Sequence, residues 1–245
     1  MTATLLSRTG KISRQELQTV PVPPGTSTHQ PLPHHQIVEA LLETLGFRRI
    51  EVVRDEYAVS HDGMRMFGVL DLELGITGVR FSIGIRNAND KSMRLALCIG
   101  FRVLVCDNMA FHGDFTPVLA KHSKHFSLVD AVSVGVDRMQ RNFEPLAAHI
   151  ELVRQTPLTD AAAKLIIYQA FVEGSLEVPR HLARVVHKNY FDPMHSEFEP
   201  RTVWSLSNAF TSAFSELDAV QHFRATAKLG TFLARATPHL LTGSR

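Results

Sequence analysis

Residues 80–112, RFSIGIRNANDKSMRLALCIGFRVLVCDNMAFH, decide how the rest of the chain is read. Val79, Phe81, Ile83 and Ile85 alternate with Arg80, Ser82, Gly84 and Arg86. After a gap, Met93, Leu95, Leu97, Ile99, Phe101, Val103 and Val105 alternate with Arg94, Ala96, Cys98, Gly100, Arg102, Leu104 and Cys106. A period of two is that of a β-strand, whose successive side chains point to opposite faces. The polar run from Asn87 to Lys91 is then a turn, and the stretch predicts an antiparallel strand pair with one apolar face.

Upstream, two further strands are expected at about 47–59 and 64–74. Ser60-His61-Asp62-Gly63 joins them, with Asp-Gly as the tight-turn signal. Before them, Ile37, Val38, Leu41, Leu42 and Leu45 keep helical spacing and Gly46 offers a stop. Downstream the period changes: Val132, Val136, Met139, Phe143, Leu146, Ile150 and Val153 predict an amphipathic helix of roughly 25 residues, kinked at Pro145. Shorter helices follow at about 159–173, 178–190, 201–219 and 220–236. Strands first and helices later predict an α+β fold: an antiparallel meander of about four strands packed against C-terminal helices. Residues 1–33 contain Pro21, Pro23, Pro24, Gly25, Pro31 and Pro33 and read as a flexible, disordered Pro-rich leader. The expected domain is 34–238, with its sheet part at about 47–106 and its helical part at about 126–236.

The bulk properties limit function more than they suggest one. The chain has 245 residues, enough for a core that needs no disulfide or metal staple, and 44% of them are hydrophobic. Its 26 Lys and Arg against 24 Asp and Glu leave a net charge of +2, so a nucleic-acid role would need a local basic patch. Cys98 and Cys106 are the two cysteines; on one strand they would lie roughly 26 Å apart, beyond disulfide reach. They are read as reduced thiols of a cytoplasmic protein. The N-terminus lacks a signal-peptide core, no run of about 18 apolar residues marks a membrane span, and neither a membrane partner nor a cofactor is expected.

Three groups of residues carry candidate chemistry. Arg80, Arg86, Arg94 and Arg102 share the face of the strand pair opposite the apolar one, a stripe suited to a phosphate backbone. The competing reading is a solvated or covered face neutralised by Asp71 and Glu73. Next, Asp107, His112, His122 and His125 are available as metal ligands, although CxxC and HExxH are both absent; Cys106 with a histidine as base is a thiol-nucleophile reading. The plainer account makes Asn108 a cap and Cys106 core. Finally, in TVWSLSNAFTSAFSEL, Asn208, Thr211, Ser212 and Ser215 form a polar strip beside Trp204, next to the apolar stripe Val203, Leu206, Phe210, Phe214 and Leu217. Asn and Thr are poor mid-helix residues, so specific hydrogen bonds are expected of them, to the sheet or to a ligand.

RNANDKS, GFRVLVCDNMAF, the histidine of AKH and VWSLSNAFT, taken together, resemble the phage/plasmid-like proteins of domain-of-unknown-function family 932 over roughly residues 34–220. The matching positions are Arg102, Val105, Cys106, Asp107 and Asn108, then Trp204, Asn208, Ala209 and Thr211. This chain is short for the group and lacks the extended C-terminal region of its larger members. The resemblance implies a bacterial, mobile-DNA setting and no particular reaction. The resulting expectation is a non-catalytic nucleic-acid-binding protein, engaged in single-stranded DNA binding or annealing. A metal-assisted hydrolase or nuclease, and a protein that assembles with itself as a homo-oligomer or with a host factor, are the alternatives.

Overall fold

A computed structural model describes residues 10–111, 118–123 and 126–237. In chain order these form β1 (Lys11–Ile12), a 3-10 turn at Glu16–Thr19, α1 (His34–Phe47), β2 (Val52–Val59), β3 (Arg65–Ile76), β4 (Val79–Ala88) and β5 (Leu95–Val103). Then come β6 (Met109–Phe111), β7 (Val118–Ala120), α2 (Leu128–Gln155), α3 (Asp160–Phe171), α4 (Leu182–Phe191), α5 (Val203–Phe214) and α6 (Ala219–Ala236). The protein is α+β, and the boundaries fall close to those the hydrophobic periods predict. No helix among the described residues is long and apolar enough to cross a membrane.

The chain divides into two compact units, with the division inside α2 at Phe143/Glu144. Of the described residues, 10–102, 118–123 and 126–143 make a sheet unit, and 103–111 with 144–237 make a helical unit. This departs from the single domain expected over 34–238. A 28-residue amphipathic helix reads as one element, and nothing in its period marks where one unit ends.

In the sheet unit the strands lie in the order β1-β2-β3-β4-β5, with β7 antiparallel to β5. Antiparallel pairing aligns Glu56 with Val69 and Val69 with Gly84, so the central strands follow the meander expected of them. The Asp-Gly turn forms as predicted: Gly63 takes a φ of +71° and its amide donates to the Ser60 carbonyl at 2.8 Å. One face carries the first half of α2, where Phe143 stacks on Phe81 at 5.1 Å. Gly135 lies so close to Val118 that a Cβ there would stand 2.4 Å from its methyl. Helix α1 buries Ile37, Val38, Leu41 and Leu45 almost completely. The opposite face is buried too along β4 and β5, as Ser82, Gly84, Ala96, Cys98 and Gly100 show.

The leader is not a free tether over its described part. Lys11 and Ile12 pair with Ala58 and Tyr57 at the sheet edge, and Leu17 is fully buried. Further on, Leu32 exchanges hydrogen bonds with Asn89: its amide donates to Oδ1 at 3.0 Å and its carbonyl accepts from Nδ2 at 3.1 Å. Prolines exclude helix but not an extended strap whose backbone is satisfied from outside, and composition cannot tell the two apart.

Candidate functional site

The four arginines of the central strands have different fates. Arg102 is buried, with its Nε 2.8 Å from Asp71 Oδ2, and the two side chains are 3% and 1% exposed. The other Asp71 oxygen accepts from the Ser82 hydroxyl at 2.6 Å, which the strand register places directly opposite. Arg80 reaches Glu73 at 3.8 Å, and Arg86 is half-buried on β4 opposite Phe67. Arg94 alone of the four is exposed, in the connection before β5. Alternation correctly separates the two faces of a strand but is silent on what covers each face. The expected stripe is therefore not one open surface: Asp71 and Glu73 take two of its members.

Two of the stretches singled out in the sequence, the exit from β5 and α5, meet in the helical unit. The chain leaves β5 by a turn in which the Val103 amide donates to the Asn108 carbonyl at 2.8 Å and Asp107 takes a φ of +55°. Asn108 is nearly buried, and its Nδ2 donates to the Asn208 carbonyl of α5 at 3.2 Å. Asn208 Nδ2 in turn donates to the Trp204 carbonyl at 3.0 Å, and the Thr211 hydroxyl donates to the Asn208 carbonyl at 3.1 Å. Arg154 stands over the Trp204 ring at 5.0 Å. Bonds to the sheet or to a ligand are expected of Asn208 and Thr211; the side-chain bonds seen run instead to the backbone of α5 itself. Cys106, Asn108, Asn189, His195 and Asn208 border a cavity of about 370 Å³. Burial first, then the charges of Asp107 and Glu197, push the Cys106 thiol up to about 11, so it stays protonated at neutral pH and is poorly suited to act as a nucleophile.

Of the metal-ligand set, His112 and His125 lie outside the described residues. Among the described residues no three His, Cys, Asp or Glu side chains come together as a ligand set, and Asp107 and His122 belong to different units.

A third arrangement, entirely within the sheet unit, gathers the open cations. Lys91, Arg94 and Lys121 line a cavity of about 460 Å³ together with Ser92, His29 and His122. Comparison with protein-family models, curated proteins and solved structures finds no match. The cavity's chemistry must therefore be read from its own residues. Lys91 is held at a φ of +64° in the tight connection after β4, where the Ser92 amide donates to Asp90 Oδ1 at 2.9 Å. Asp90 is the nearest acid in sequence, and its other oxygen is occupied by Arg65 at 2.8 Å. Among the described residues no carboxylate lines the cavity.

His122 is the one of these residues that is buried, 6% exposed, and neither of its ring nitrogens has a hydrogen-bond partner. Its ring stacks on that of His29 at 5.4 Å with an interplanar angle of 11°. His29 is fixed in turn: Nε2 donates to the Asn89 carbonyl at 3.2 Å, and the next residue, Gln30, donates its amide to the His122 carbonyl at 3.1 Å. Burial, with His29 and His34 close by, lowers the His122 pKa to about 4, so the ring is neutral at pH 7. Lys91, Lys121 and His29 were missing from the sequence-derived site. Two cations flanking a polar turn are a usable signal for Lys91 and Arg94, but nothing local ties the leader to a residue near position 122.

Proposed function

We propose that this protein is a non-catalytic nucleic-acid-binding protein that holds single-stranded DNA through Lys91, Arg94 and Lys121, in the mobile-DNA setting that its family resemblance implies. The observation that carries this reading is the convergence of three exposed cations on one cavity, with no carboxylate beside them among the described residues. Cations without acidic neighbours attract phosphates, and a cavity of about 460 Å³ takes a nucleotide rather than a double helix. The sheet arginines Arg80 and Arg102, already paired with acids, are assigned no part in binding.

Fluorescence anisotropy of a labelled single-stranded oligonucleotide tests this. Three phosphate contacts predict roughly 20-fold weaker binding when salt rises from about 50 to about 200 mM. Replacing Lys91, Arg94 and Lys121 together with Glu should abolish binding. Binding that survives this triple replacement, or no binding at the lower salt, overturns the proposal.

Self-assembly has one observation in its favour. Leu165 and Tyr168 on one side of α3, with Val172 at its C-cap, are half-exposed at helical spacing and would suit a second copy of this chain. A single species of monomer mass by light scattering rejects it.

A further inference from the structure

The buried histidine says more about the ligand than the cations do. Lys91, Ser92, Arg94, Lys121 and Ser123 are exposed lining residues of the cavity, whereas His122, which also lines it, is nine-tenths buried. A strand passing across the rim would meet the cations and leave both nitrogens of His122 without a partner. An unmet buried polar group is costly, and a ligand that enters far enough to bond it recovers that cost. An internal phosphodiester carries one charge and continues as chain on both sides. A terminal phosphomonoester carries nearly two charges at neutral pH, offers three oxygens and has one side free to enter. Three cations around one neutral N–H donor match the second group better than the first.

We propose that the cavity is a receptor for a terminal phosphomonoester, with Lys91, Arg94 and Lys121 neutralising its charge and His122 donating a hydrogen bond to one of its oxygens. In the protein this is the phosphorylated end of a strand, a statement that rests on the nucleic-acid reading above. His29 is a positioning residue: its ring lies flat against that of His122, and its bond to the Asn89 carbonyl holds it there. Among the described residues the titratable groups around His122 are His29, His34 and the three rim cations, and none of them is acidic.

The experiment uses the full chain and one single-stranded oligonucleotide of fixed sequence in three forms: 5′-phosphorylated, 3′-phosphorylated and hydroxyl at both ends. A nucleoside monophosphate serves as competitor. At least one phosphorylated form should bind about tenfold or more tightly than the hydroxyl form, and the nucleoside monophosphate should remove that advantage. His122→Gln should bring the phosphorylated form down to the affinity of the hydroxyl form. In the unaltered protein, ¹⁵N resonances of the His122 ring should shift on adding the phosphorylated strand and stay put with the hydroxyl strand, a readout that does not depend on the variant folding. Equal affinity for all three strands overturns the end-recognition proposal while leaving nucleic-acid binding intact. Binding of the nucleoside monophosphate without binding of any strand keeps the phosphomonoester site and overturns the nucleic-acid reading. No binding of any of them overturns both.

Discussion

Arg102 and Arg94 belong to one alternating pattern on one predicted strand, yet they end in opposite environments. Arg102 lies within β5, where both faces are buried, and it is tolerable there only because Asp71 lies 2.8 Å away and is itself held by Ser82. Arg94 lies one residue before the strand, where the chain is exposed and no acid among the described residues claims it. The same side chain is thus architecture in one position and a free charge in the other. What separates them is the covering of the second sheet face, a tertiary property that no two-residue period encodes.

That contrast can be broken most directly at Arg102. Arg102→Ala strands a buried carboxylate and should cost about 3–5 kcal/mol, read as a large fall in Tm by calorimetry. Arg102→Met combined with Asp71→Leu should recover most of the loss. A single replacement costing under about 1 kcal/mol would erase the distinction between the two arginines.

The next effect concerns two buried histidines, one in each unit. His122 and His222 are both lowered to about 4, chiefly by burial, and both keep an unbonded ring nitrogen. Their folded-state pKa lies below the unfolded value of about 6.5, so the unfolded chain takes up the proton first. Their contribution to stability is complete above about pH 6.5 and is lost as the pH falls towards 4. The loss is up to about 3 kcal/mol for His222 and less for His122, the less completely buried of the two. Urea titrations at pH 7, 5 and 4 measure it. A phosphate-ended strand should offset the loss at His122, which lines the basic cavity.

Smaller again is Asn108→Ala, which removes the hydrogen bond to the Asn208 carbonyl and should cost about 1–2 kcal/mol in the same titrations. Smallest is Arg94→Glu with Lys121→Glu, expected to change stability by no more than about 0.5 kcal/mol while removing binding. A larger destabilisation would mean that the cavity cations help hold the fold, as Arg102 does.

Much of the secondary structure was legible in the sequence because long alternations and helical stripes survive as local signals. The runs around Phe81, Leu97 and Val136 became β4, β5 and α2 close to their expected limits. The strap from position 10 to 33 was not legible, because its order comes from partners such as Asn87, Asn89 and Tyr57 far along the chain. The meeting of Asn108 with α5 was not legible, since Asn108 reads locally as a cap, and the polar strip expected to bond the sheet or a ligand bonds α5 itself. The basic cavity drew one arginine and one histidine from the sequence reading, each assigned there to a different site.

The strap also bears on how the protein folds. Gln30 bonds to His122 and His29 to Asn89, so the cavity wall joins segments that lie far apart along the chain. Such contacts close large loops and are made late, after the sheet that receives them exists. A strap that docks last is also the first to lift, and lifting it unstacks His29 from His122 without unfolding β2 to β5. Amide exchange at Gln30 should therefore outpace that of the central strands, making the site accessible through a local opening.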